Sequence, residues 1–374
     1  MKIVIVGTSY PYRGGIAAFT DRLAKELVKE GVDIEVVTFK LQYPSFLFPG
    51  KTQYSDAKAP EGFQISRKVN SVNPLNWITV GKEIRKKNPD IVIFTYWMSF
   101  FAPCFSRIAK VIKQNGHTKC IGLIHNMIPH EKSLLDKMLP PRFVKAMDGF
   151  VALSKSVLDD VASLDKDNKP KVFTPHPLYD HFGEIMDRSE AAKHLNLAPN
   201  YRYLLFFGLV RAYKGLDLLI YAFADARLRK YPVKLLVAGE FYDDPKPYLE
   251  QIEKLGLNDF VIIENQYIKD NNVKYYFNIA DMVVQPYKSA TQSGVTQIAY
   301  HFEKPMLVTD VGGLGEIIPN GKVGYVVEPK PSAIAEALVD FCENDRVSCF
   351  VSGLRNEKQK YQWSNMTAAL KNLL

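Results

Sequence analysis

Residues 2–16 read Lys-Ile-Val-Ile-Val-Gly-Thr-Ser-Tyr-Pro-Tyr-Arg-Gly-Gly-Ile, and Ile16, Phe19, Leu23 and Leu27 then follow at spacings of three and four. The apolar β-branched run is a buried strand, the spaced residues are one face of a helix, and Gly31 is placed as its C-terminal cap. Strand, glycine loop and helix in that order open a parallel α/β domain. Working outward, the alternation continues. Strands are expected at Lys2–Val6, Ile34–Phe39, Ile91–Tyr96, Cys120–His125, Phe150–Leu153 and Val172–Thr174, with helical periods between them. Residues 41–74 lack periodicity and hold the aromatic run Leu-Gln-Tyr-Pro-Ser-Phe-Leu-Phe-Pro-Gly at 41–50. Around 175–202 the pattern gives way to Pro175, Pro177 and a polar stretch, read as a linker. A second alternation places strands at Tyr203–Phe207, Leu235–Ala238, Val261–Glu264, Met282–Gln285, Met306–Thr309 and Tyr325–Val327. From about Gln359, through Trp363, to Leu374 the chain reads as a terminal amphipathic helix. The fold class is therefore α/β, with two Rossmann-like parallel-sheet domains.

Length agrees. A chain of 374 residues exceeds what one core supports, since cores stop growing near about 250–300 residues. An apolar fraction of 47% and a charged fraction of 24% exclude long disorder and fibrous architecture. No run of about 18 apolar residues exists, so no transmembrane helix is expected. The opening strand is too short for a signal-peptide core. Cys104, Cys120, Cys342 and Cys349 form neither a CxxC pair nor a zinc-spaced cluster. A reducing cytoplasm is the expected compartment, and no metal site is expected.

Charge is lopsided: residues 1–178 carry 26 Lys+Arg against 16 Asp+Glu, whereas the remainder has 22 against 24. Such an asymmetry calls for an anionic membrane, a phosphate-bearing substrate or nucleic acid. Nucleic acid rests on charge alone, with no aromatic platform to support it, and is not expected. The cluster Lys82, Arg85, Lys86 and Lys87 is either a solvated helix face or a peripheral membrane contact.

Four motifs carry chemistry. Gly14-Gly15 opens a helix after the first strand and lets backbone amides approach an anion or sugar, although the dinucleotide fingerprint GxGxxG is absent. That absence disfavours a dehydrogenase. His125 closes an apolar strand and so falls at the sheet's carboxyl edge, where open α/β folds bind ligands. His130-Glu131 lacks the second His of a metalloprotease helix. Arg211 and Lys214 share the loop after the first strand of the second domain, where a guanidinium fork and an ammonium converge on a diphosphate. Ser293, Gly294 and Val295 open a later helix and offer amides to a second phosphate; Val311-Gly312-Gly313 and Glu316 repeat the layout one strand on.

In this order and spacing, with the segment 267–281, the pair Gly312-Gly313 and Trp363 before the last helix, the chain resembles the family-4 (group 1) retaining glycosyltransferases of GT-B fold. The resemblance implies two domains facing across a cleft: an acceptor domain over 1–178, a nucleotide-sugar domain over 179–357, and 358–374 returning to the first. It implies that Gly14 and Gly15 approach the donor diphosphate and that Arg211 and Lys214 neutralise it. It further implies that Ser293, Gly294 and Val295 hold the distal phosphate while His125 faces the transferring sugar. The donor is then a UDP- or GDP-type sugar, needing no further cofactor or metal. The acceptor is a glycan or lipid-linked sugar in cell-surface polysaccharide synthesis, made at the inner face of the membrane. One departure stands out. The family's Glu-x7-Glu is missing, with Thr291 and Gln292 near the first position and Gln297, Ile298 and Ala299 near the second. Gln297 and Glu316 are the candidates to replace it at the ribose. The alternative expectation is a non-catalytic nucleotide- or sugar-binding protein on the same scaffold.

Overall fold

The computed structural model describes residues 1–44, 53–55, 58–127, 138–290 and 293–374. Residues 45–50 of the aromatic run, His130, Glu131, Thr291 and Gln292 lie outside the described residues. The chain divides into two compact units, Met1–His176 with Gln362–Leu374, and Pro177–Tyr361.

In the first unit seven strands form one parallel sheet: β1 (Lys2–Val6), β2 (Asp33–Leu41), β3 (Gln64–Asn70), β4 (Ile91–Tyr96), β5 (Lys119–Ile124), β6 (Gly149–Ala152) and β7 (Lys171–Phe173). Their spatial order is β3-β2-β1-β4-β5-β6-β7. The order reverses between β1 and β4, so the loops leaving those two strands splay apart and leave a crevice at the sheet's carboxyl edge. Buried aliphatics explain the strands: Ile3 to Val6 and Ile91 to Phe94 are all wholly buried, as parallel strands covered on both faces require. β3 is absent from the sequence expectation. It is an edge strand of polar composition, Gln-Ile-Ser-Arg-Lys-Val-Asn, in which only Val69 is fully buried.

The last helix, Trp363–Lys371, belongs to this first unit. Trp363, Met366 and Leu370 join Ile3, Ile5, Phe19 and Leu23 in one core. Arg22 lies 5.0 Å over the Trp363 ring, and Glu30 accepts from Thr367 Oγ1 at 2.5 Å and pairs with Lys371.

The second unit repeats the layout with β8 (Arg202–Phe207), β9 (Val233–Ala238), β10 (Val261–Glu264), β11 (Met282–Gln285), β12 (Met306–Thr309) and β13 (Gly324–Val327) in the order β10-β9-β8-β11-β12-β13. Its reversal lies between β8 and β11. The stretch expected as a linker is structured: Arg188–Leu195 is a helix. Arg188 forks onto Asp281 at 3.1 and 2.9 Å and donates to the carbonyls of Ile279 and Tyr201, tying this helix to the sheet. Among the described residues no helix is long and apolar enough to cross a membrane.

Candidate active site

In the second unit the loop leaving β8 carries Arg211 and Lys214, and the loop leaving β11 leads to the helix Gly294–His301. These are the two strands that flank the reversal, so the crevice is built from both loops. Two contacts lock them together. Gly215 sits at φ +70°, and a Cβ there would lie 2.0 Å from the Pro286 carbonyl oxygen, so only glycine fits. Lys288 N–H donates to the Tyr213 carbonyl at 2.7 Å.

Arg211 lies 4.0 Å over the ring of Tyr242, which the pairing of Val210 with Phe241 brings up from the loop after β9. Its Nε is buried without a hydrogen-bond partner. Lys214 Nζ lies 5.7 Å from the Tyr287 ring centre. Burial, reinforced by the Arg211 charge, pulls the Lys214 ammonium down to a pKa of about 8. Neither cation has an acidic partner among the described residues. Two half-sheltered positive charges on one turn, with no counter-ion among the described residues, are suited to hold an anion.

Ser293 caps the helix Gly294–His301: its Oγ accepts from Val295 N at 3.3 Å and lies 3.2 Å from the Tyr287 hydroxyl. Gly294 is required because the Tyr179 ring lies over it, 2.6 Å from where a Cβ would stand. Gln297 is in the first turns of that helix, 1% exposed, with both amide atoms unpartnered. Gln285, at the end of β11, is in the same condition. Alternation along the strand puts it on the face of Val283, which shares a core with Ile298 and Ala299 beside Gln297. Glu316 is exposed on the one-turn helix Leu314–Ile317 after β12, the strand next to β11.

In the first unit His125 follows Ile124, the last residue of β5, and donates its N–H to the Tyr96 carbonyl at 2.8 Å. Its ring lies edge-on to Phe19 at 4.6 Å and 6.3 Å from the His176 ring. Burial, then His176, drives its pKa down to about 3, so the imidazole is neutral at working pH, and its Nε2 is unpartnered. A neutral imidazole donates or accepts a hydrogen bond but does not deliver a proton as an acid.

Gly14 caps the helix Gly15–Lys29 at φ +109°, with no side chain satisfying the first-turn amides and no acidic residue in that turn. Asp21 of this helix anchors the preceding loop, accepting from Ser9 Oγ and from Tyr10 N at 3.4 Å. Gly14 and Gly15 also line a cavity of about 580 Å³ whose other walls include Tyr43, Trp97, Met98 and Phe100. Besides the two glycines, the sequence reading singled out only the aromatic run that contains Tyr43. The available signal was Trp-Met-Ser-Phe at 97–100, which leaves β4 at the reversal. Of the basic cluster, Lys87 is paired with Glu35 and Arg85 with Gln114, whereas Lys82 and Lys86 are exposed.

Comparison with known proteins places these features. The family described as "Glycosyltransferase Family 4" matches residues 13–175, and "Glycosyl transferases group 1" matches residues 187–361. An uncharacterised glycosyltransferase of Methanocaldococcus jannaschii is 24% identical over 100% of this chain and 97% of its own length. The O-antigen chain mannosyltransferase C of Escherichia coli is 24% identical over 91% of this chain and 88% of its own. Among solved structures, Anabaena HepE in complex with UDP superposes with a TM-score of 0.73 at 15% identity, covering 99% of both chains. That likeness establishes the GT-B fold. With one family matching each unit, the chain belongs to the group 1, family-4 glycosyltransferases and is an enzyme of that class.

Proposed function

We propose that this enzyme moves a sugar from a nucleotide-diphosphate donor bound on the second unit to a glycan or lipid-linked acceptor bound on the first. In this reading it acts with retention of anomeric configuration and without a metal ion. The observation that carries the reading is the pair Arg211 and Lys214, two cations on one turn with no acidic partner among the described residues. A leaving diphosphate supplies the missing negative charge. As the bond from the anomeric carbon to the diphosphate oxygen breaks, its electron pair goes to that oxygen, where the guanidinium and ammonium stabilise it. The acceptor hydroxyl forms the new bond on the same face and passes its proton to the departing phosphate oxygen. Charge neutralisation by the Arg211 and Lys214 side chains supports the metal-free reading.

The remaining roles follow from placement. The amides of Ser293 and Gly294 receive the distal phosphate at a helix N-terminus, while that of Val295, expected to join them, is taken by the Ser293 hydroxyl cap. Gly14 and Gly15, at an uncapped helix start, leave backbone donors for an anion or a sugar. Gln297 offers its unpartnered amide to the ribose where relatives carry a carboxylate, and Glu316 stands one loop away. His125 holds the sugar as a neutral hydrogen-bonding group. Structural neighbours bound to UDP and to UDP-glucose favour a UDP-type donor. Exposed Lys82 and Lys86 support peripheral contact with an anionic cytoplasmic membrane face.

The test is a donor screen. The purified enzyme is incubated with UDP- and GDP-sugars and glycoside acceptors, with and without EDTA; products are read by mass spectrometry and their anomeric configuration by NMR. A retained anomer, formed equally in EDTA, is the expected result. An inverted product, or activity abolished by EDTA and restored by a divalent ion, overturns the reading.

A further inference from the structure

The 580 Å³ cavity of the first unit lies within the range of small-molecule sites, and every lining residue belongs to that unit. One side is aromatic and soft. Tyr43 lies 6.1 Å edge-on to Trp97 and 5.9 Å from Phe100, and its hydroxyl reaches the Met98 sulfur at 3.9 Å. The lining also holds two polar atoms that nothing among the described residues satisfies: Thr8 Oγ1 and Gln42 Oε1, on residues 2% and 7% exposed. Buried polar atoms are normally paired, so two orphans on residues that line one cavity mark the places where a ligand completes the hydrogen bonding. Among the described residues the lining contains no carboxylate, and its one permanently charged side chain is Arg13, exposed at the end of the glycine loop. Burial pushes the Tyr43 phenol up, keeping it neutral.

Aromatic faces and hydroxyl-seeking groups in one cavity match a pyranose ring, which has an apolar C–H face and a polar rim. A small dicarboxylate or a cyclitol phosphate would meet a single cation and four apolar side chains. A bare lipid phosphate would leave both orphans unpaired. Resting on the reading of the first unit as the acceptor domain, we propose that the acceptor ends in an uncharged pyranoside. Its ring packs among Tyr43, Trp97 and Phe100, and its hydroxyls bond Thr8 Oγ1 and Gln42 Oε1.

The experiment titrates methyl and octyl pyranosides, octyl phosphate and malate against the full chain without donor, following tryptophan fluorescence, and measures acceptor KM with the best donor. Pyranosides give a saturable change that disappears in Trp97→Phe. Gln42→Leu and Thr8→Val each raise the acceptor Kd and KM about tenfold, with donor affinity unchanged and Tm equal or higher, because each removes an atom the folded chain leaves unpaired. Octyl phosphate or malate binding in preference to every pyranoside overturns the proposal, as does an unchanged acceptor KM in both variants. The two readings fail separately. No turnover of any donor, with pyranoside binding intact, defeats the transferase chemistry alone, whereas turnover with an acceptor KM indifferent to Thr8 and Gln42 defeats this inference alone.

Discussion

Raising the pH from 7 to 9.5 should weaken donor binding through Lys214. Its ammonium falls from the ordinary 10.5 to about 8 because it is buried beside Arg211. At 1.36 kcal/mol per decade this costs the charged form roughly 3 kcal/mol. A diphosphate in contact with the ammonium returns it to the ordinary range or above. Donor binding above pH 8 must therefore take up a proton. The dissociation constant for UDP or GDP should be flat below about pH 7.5, rise about tenfold by pH 9 and about thirtyfold by pH 9.5. Calorimetry in two buffers of different ionisation enthalpy should count about 0.9 proton taken up per nucleotide at pH 9. Lys214→Met should bind about ten- to a hundredfold more weakly, with no pH dependence over the same range. In the free chain the sign is opposite. Between about pH 8 and 10.5 the unfolded chain binds more protons, so this group makes folding more favourable as pH rises. Wild-type affinity that is level from pH 7 to 9.5, with no proton uptake, refutes the argument.

Other consequences are equally concrete. Arg211→Lys should weaken donor binding about tenfold or more, since a point charge loses the guanidinium fork and its stacking on Tyr242; equal affinity by calorimetry would show that neither matters. His125→Asn should lower kcat while leaving the donor dissociation constant within about twofold. The wild-type rate should show no acidic limb between pH 5 and 7, because the imidazole is already neutral there. Gly7→Ala should destabilise the first unit by about 1–3 kcal/mol in urea unfolding, because a Cβ at that position would stand 1.7 Å from Thr95 Oγ1 on the neighbouring strand.

Much of this fold was legible because parallel strands buried on both faces announce themselves as unbroken apolar runs. Ile91–Tyr96, Met282–Gln285 and Met306–Thr309 carry the same limits in sequence and structure. Where one side of an element is wet, the signal fades. β3 is a polar strand at the sheet edge with only Val69 buried, and the helix Arg188–Leu195 buries only Ala191 and Ala192. Its place is fixed by Arg188 meeting Asp281, 93 residues away, a contact no local pattern encodes. The site divides the same way. Arg211 and Lys214 are three apart, so their partnership is visible in the sequence. Tyr242 under Arg211 depends on strand register, and the cavity joining Thr8, Gln42 and Trp97 depends on which strands are neighbours. His125 was legible as a strand-end histidine, but its neutrality was not, because that comes from Phe19 and His176 closing around it.

The central claim is that the Arg211–Lys214 turn carries the charge of the departing diphosphate. Release of nucleoside diphosphate by Arg211→Ala/Lys214→Ala, compared with wild type under saturating acceptor and with matched thermal unfolding, tests it most directly. The account predicts a loss of about a thousandfold or more with the fold unharmed. Turnover at the wild-type rate in that double variant would contradict it.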